Sequence, residues 1–157
     1  MNDFRFSLTG IDNYAQISSS DRILSLDNEV ITLNNQFDLS NSFGNDIIIS
    51  EDGKTITLLK SGAYLVNTTI ILGQIAAKTN YKVELYDTTN SYTVPGSELV
   101  FGYSFSSSKD LNFDKITISG SVIVNVPNDN GISLQLVNHS SHWLMVYEST
   151  INIIQIG

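Results

Sequence analysis

The chain contains no cysteine. That absence removes disulfides, thiolate nucleophiles, Cys-ligated zinc and iron–sulfur clusters together, and leaves cohesion to apolar burial and association. Proline and histidine each occur only twice in 157 residues, and tryptophan once. Basic residues are scarce as well: eight Lys and Arg stand against sixteen Asp and Glu, for a formal charge of −8. A chain of that sign repels phosphate backbones and anionic lipid surfaces, so neither a nucleic-acid partner nor membrane insertion is expected. Long apolar runs are missing too. The greasiest stretch, Ala63 to Ala77, is interrupted by Asn67, Thr68, Thr69, Gly73 and Gln74, short of the roughly 20 apolar residues of a spanning helix. The first ten residues carry Asp3 and no apolar core, so no signal peptide is expected. The helix formers Ala, Lys, Glu and Arg are sparse. At this length surface scaling buries roughly 69% of the unfolded chain's surface, enough for one domain over residues 1–157.

Ile, Val, Thr, Tyr and Phe are plentiful, with Asn and Ser between them, the residue set of short strands and turns. Alternation is clearest at Ile116, Ile118, Gly120, Val122, Val124 and Val126, with Lys115, Thr117, Ser119, Ser121 and Asn125 on the other face. That predicts a long half-buried strand. Ile132, Leu134 and Leu136 alternate with Ser133 and Gln135, and the intervening Pro127–Gly131 tolerates positive φ, so the two runs read as a hairpin. Tyr81, Val83 and Leu85 pair by the same reasoning with Leu99, Phe101, Tyr103 and Phe105, and Ile47–Ser50 with Thr55–Leu59. Ser61-Gly62 opens a further strand from Ala63 to about Leu72, while residues 10 to 46 read as looser. The prediction is an all-β antiparallel sandwich, barrel or jelly roll of about ten strands.

Two runs break the alternation. Tyr64, Val66, Ile70 and Leu72 are apolar on one face and Ala63, Leu65 and Ile71 on the other; Ile151, Ile153, Ile154 and Ile156 are again apolar on both. An antiparallel strand normally keeps one wet face. Either a loop covers these strands or a second copy of the chain does. For the second alternative the expected interface residues are Phe4, Phe6, Tyr64, Val66, Ile151 and Ile153. A one-residue slip in register would exchange the two faces.

Chemistry-bearing constellations are thin. The nearest string to a Gly-x-Ser-x-Gly elbow, Gly102-Tyr103-Ser104-Phe105-Ser106, lacks its second glycine. His139 and His142 are three apart, on opposite faces of an extended segment, and a metal would need a third ligand such as Glu148. Glu51, Asp52, Asp110 and Asp129 fall in predicted loops without the spacing of a calcium loop. Neither catalysis nor a bound metal or cofactor is expected. Trp143 directly follows the His139–His142 loop and Tyr92 sits in a polar turn; such rings either pack inside or stack on sugars and partners. Tyr92, His139, His142 and Trp143 are therefore the candidate ligand contacts. Asn67-Thr68-Thr69 and Asn138-His139-Ser140 match the glycosylation acceptor pattern, which arises by chance in so Asn-, Ser- and Thr-rich a chain.

The order of the strands and turns resembles the C1q/TNF-like jelly roll. Within it, the resemblance is to the C-terminal globular domain of collagen-like glycoproteins on the exosporium of spore-forming bacteria. The matching pieces are Phe4, Phe6 and Gly10; Ile48-Ile49-Ser50; Thr55 to Leu65 with its Ser61-Gly62 turn; Val94-Pro95-Gly96-Ser97; the Ile116–Val126 and Gly131–Val137 strands; and the isoleucine-rich end. The Gly-X-Y collagen stalk of those relatives is absent. The resemblance implies a compact homotrimer, its double-sided strands about a threefold axis. The implied function is that of a noncatalytic structural or adhesive head on a spore surface or otherwise extracellular. Some C1q-like heads hold calcium at the apex, which extends to a loop site here by resemblance only. A carbohydrate-binding or phage receptor-binding trimer of the same fold, contacting a glycan or host surface ligand, is the alternative.

Overall fold

The computed structural model describes residues 13–20, 23–33, 36–37, 44–73, 80–102 and 115–157. Phe4 and Phe6 lie outside the described residues, as do Tyr103, Phe105 and Asp110. The described residues form twelve strands and no helix: β1 (Tyr14–Ser19), β2 (Ile23–Ser25), β3 (Gln36–Phe37), β4 (Ile47–Ile49), β5 (Ile56–Leu58), β6 (Gly62–Gly73), β7 (Asn80–Asp87), β8 (Tyr92–Thr93), β9 (Leu99–Gly102), β10 (Lys115–Val126), β11 (Ile132–Asn138) and β12 (Leu144–Gln155). They make two antiparallel sheets, one ordered β10-β6-β12-β1-β3 with β2 also on β12, the other β4-β5-β11-β7-β8 with β9 also on β7.

Alternation dictates what lies between the sheets. β6 turns Tyr64, Val66, Ile70 and Leu72 inward, β1 adds Ala15 and Ile17, and β12 adds Ile151 and Ile153. From the other sheet come Ile56, Leu58, Val83, Leu85, Leu134 and Leu136, joined in one cluster with them. Each such side chain stabilises the fold by about 1.5–3 kcal/mol on burial. The expected β7–β9 and β4–β5 pairs are present, with Tyr81 opposite Phe101 and Ile49 opposite Ile56.

The Ile116–Val126 hairpin is not. β10 pairs with β6 over an unbroken register from Lys115↔Gly73 to Val126↔Gly62, while β11 pairs with β5 and β7 in the opposite sheet. Two twelve-residue strands satisfy more backbone groups together than a twelve-residue strand with the seven-residue β11. The Pro127–Gly131 turn thus carries the chain from one sheet to the other, held where Asp129 accepts the Ser61 N–H at 2.8 Å. Within residues 10 to 46, read as looser, the described residues include the strands β1, β2 and β3. β1 lies along β12 from Tyr14↔Ile154 to Ser19↔Ser149, and Ile31 and Leu33 are fully buried beyond it.

One irregularity sets the direction of several side chains. The β12 register shifts between Val146 and Glu148. Inward positions therefore pass from Leu144 and Val146 to Ser149, Ile151 and Ile153. Such a bulge re-aims the extra residue, here Tyr147. Its ring fills the space a side chain at Gly73 would need, and Lys115 Nζ lies 4.6 Å above it.

Candidate functional site

The four expected interface residues within the described chain, Tyr64, Val66, Ile151 and Ile153, have no exposed surface at all. They are packed between the sheets of one copy. What faces outward on the same strands is the other half of each alternation, and the registers arrange it in rows. Tyr14, Ile154, Leu65 and Ile123 face one another in order across β1, β12, β6 and β10. The next row is Gln16, Asn152, Asn67 and Ser121, and the one after it Ser18, Thr150, Thr69 and Ser119. Ser121 Oγ donates to Asn67 Oδ1 at 2.6 Å within the amide row. These twelve positions include no Asp, Glu, Lys or Arg. One row of the three is apolar and two are neutral polar, and among the described residues no strand lies over them. Sequence periodicity singled out β6 and β12 as two-faced; it missed Gln16, Asn67, Asn152 and Ser121, whose signal is visible only once the strands are in register.

The four candidate ligand contacts do not come together. Tyr92 pairs with Asp87 at one end of β7, whereas the His139 N–H donates to Lys82 O near the other end, five residues or about 17 Å away. His139 is tied down. Its Nδ1 meets Glu84 Oε1, which also accepts from Thr93 Oγ1 at 2.8 Å, and Lys82 Nζ forms an ion pair with Glu84 Oε2 at 2.8 Å. Glu84 is 2% exposed. Burial raises its pKa, but the bonds from Lys82, Thr93 and His139 outweigh that and hold the carboxyl below the usual carboxylate range. Lys82 is pushed the other way by its bonds to Glu84 and Glu98. This cluster fastens the end of β11 to β7, a structural tie.

His142 and Trp143 stay exposed at the tip of the same loop. Asn138, fully buried, reaches Ser25 O, Leu26 O and His142 O with its Nδ2 within 3.1 Å, and Asp27 accepts the Ser141 N–H at 2.9 Å. That burial removes Asn138 from the reach of any modifying enzyme in the folded chain. The acidic loop residues are likewise occupied: Asp52 accepts from Ser50 Oγ and the Lys54 N–H, and Asp129 from the Ser61 N–H, and both carboxyls titrate low because of these bonds. Among the described residues no three His, Asp or Glu converge to hold a metal. Nor does any helix among them have the length and apolarity to cross a membrane.

No family model and no curated protein matches the sequence. Solved structures do match the architecture. The globular domain of zebrafish complement 1qA superposes with a TM-score of 0.63 at 10% identity, covering 93% of this chain and 98% of its own. Eiger TNF from S. frugiperda gives a TM-score of 0.68 at 8% identity over 94% of both chains. The fold is the C1q/TNF-like jelly roll. Murine APRIL, with a TM-score of 0.56 at 7% identity, covers 91% of this chain and 98% of its own. The jelly roll explains the strand order, in which β10 and β11 separate into opposite sheets. Fold likeness at this identity leaves function to the surface.

Proposed function

We propose that this C1q/TNF-like jelly roll is a noncatalytic homotrimeric head, structural or adhesive, at a bacterial spore surface. Its copies pack through the outward face of the β10-β6-β12-β1 sheet. The observation that carries this reading is the absence of charge from the three central rows of that face in a chain of net charge −8. Acidic copies repel one another least where neither presents charge, and interface cores are depleted of charged residues. Asn and Gln side chains each offer donor and acceptor, so an amide row is complementary to itself. The number three and the spore setting rest on the resemblance to exosporium heads, and the fold supports the first of these.

Light scattering after gel filtration tests the assembly: the expected mass is about three times 17.3 kDa. A folded monomer at every concentration overturns the proposal. A glycan-binding trimer is the second reading, favoured by the exposed side chain of Tyr92 where β8 leaves the β7–β8 turn. Specific signal on a glycan array, abolished by Tyr92→Ala with the trimer intact, would replace the purely structural role.

A further inference from the structure

Beyond the charge-free rows, the same side of the sheet carries an exposed apolar patch. Leu24 faces Met145 in register, and Ser25 faces Leu144 with both buried. Leu26 and Trp143 are the residues next to this last pair on the two chains, and both are exposed. Leu24, Leu26 and Trp143 are 53%, 56% and 45% exposed. The turns that carry Leu26 and Trp143 are tied to each other. Ser141 and Asn28 sit at φ of 61° on the two facing turns. Asn138 and Asp27 lock those turns together through the bonds already given. Backbone ties of this kind lower the ordering cost when a partner docks.

We infer that Trp143, with Leu24 and Leu26, is the anchor of the contact between copies, the occupant being a second copy of this chain. The inference rests on the proposed self-association and assigns it a residue. Area is the first argument. Four strands at about 4.8 Å and three rows along them cover only roughly 400 Å². Extending the face along β12 from Ile156 to Trp143, across the row of the exposed Glu148, brings it to roughly 900 Å², near the roughly 800 Å² per partner of a stable interface. Charge is the second. Lys115 lies on the β10 edge at the level of Gly73 and Met145, while Asp27 and Glu29 lie beyond Leu26 on the β2 side. A rotation that sets the β10 edge of one copy against the β2 edge of the next brings opposite charges together. Such a head-to-tail contact closes into a three-membered ring when the rotation is one third of a turn. Tryptophan is the residue type most often found at the energetic centre of interfaces.

Because Trp143 is the sole tryptophan, tryptophan emission reports on the surroundings of this one ring. The experiment is dilution of the full chain, followed in parallel by light scattering, tryptophan emission and iodide quenching. The expected result is blue-shifted, quencher-protected emission in the assembly, becoming red-shifted and quenchable with the same midpoint as the fall in mass. Trp143→Ala should move that midpoint to at least about tenfold higher concentration, and Tyr92→Ala should not move it. If the mass falls while emission and quenching stay constant, the anchor assignment fails and self-association stands. If no assembly forms, the proposed function fails with it. Emission that ignores dilution but shifts on adding a mixture of soluble glycans would make the patch a ligand site and overturn the inference.

Discussion

Ile153 and Ile154 are neighbours in the chain with opposite fates, and substituting each by Asp separates folding from assembly. Ile153 is fully buried against the opposite sheet. Losing its side chain removes about 2–5 kcal/mol. A carboxyl in its place can avoid burying charge only by holding its proton, which at neutral pH, about three units above the ordinary Asp value, costs about 4 kcal/mol. The total rivals the roughly 5–15 kcal/mol that holds a typical domain together. Ile153→Asp is therefore expected to be unfolded or aggregated when purified. Ile154 points outward in the row with Tyr14 and Leu65. In the isolated chain Ile154→Asp costs about 1 kcal/mol of strand preference, a fall of roughly 2–4 °C in the melting temperature of the monomer. At the proposed contact it brings carboxylates into an otherwise charge-free surface and should abolish assembly. Circular dichroism melts and light scattering on both variants read the two effects separately. A folded Ile153→Asp that merely dissociates, or an Ile154→Asp that melts as early as its neighbour, would refute the assignment of faces.

Two further outcomes follow from the same geometry. The folded Glu84 carboxyl titrates below its ordinary 4.5. It therefore binds a proton less readily than in the unfolded chain, and its stabilisation is complete above about pH 4.5 and lost as pH falls through the lower folded value. Glu84→Gln should flatten that part of the acid melting curve, and an unchanged slope would assign acid sensitivity elsewhere. Gly131 has φ +73° and a side-chain carbon there would lie 2.5 Å from Leu58 O, whereas at Gly96, φ +80°, the nearest atom is Val122 Cγ2 at 3.9 Å. Gly131→Ala should cost roughly 2–5 kcal/mol by adding a backbone clash to the left-handed strain, and Gly96→Ala only about 1–2 kcal/mol; equal denaturation midpoints would contradict the seat of the crossover turn.

Much of this protein was legible in its sequence. Alternation in Lys115–Val126 and Ile132–Leu136 specifies strands because side chains on an extended backbone alternate by geometry alone. The missing helix formers and the turn residues then leave an all-β sandwich. The two-faced character of β6 and β12 was also readable, since it needs only the identity of neighbours. Which face points inward was not. Burial depends on the opposing sheet, and parity along β12 changes at the Tyr147 bulge, so Leu144 and Ile151 share a face that strict alternation would deny them. Pairing partners were equally hidden, because the choice of β6 over β11 for β10 is settled by matching strand length across 41 or more intervening residues, not by the turn that joins β10 to β11. The same holds for the site. Sequence saw His139 and Trp143 as one polar loop, but only the pairing of β11 with β7 sets His139 against Glu84, and only the pairing of β2 with β12 sets Leu24 and Leu26 beside Trp143. Local preference fixes which residues extend and turn; long-range hydrogen bonding and burial decide what they meet.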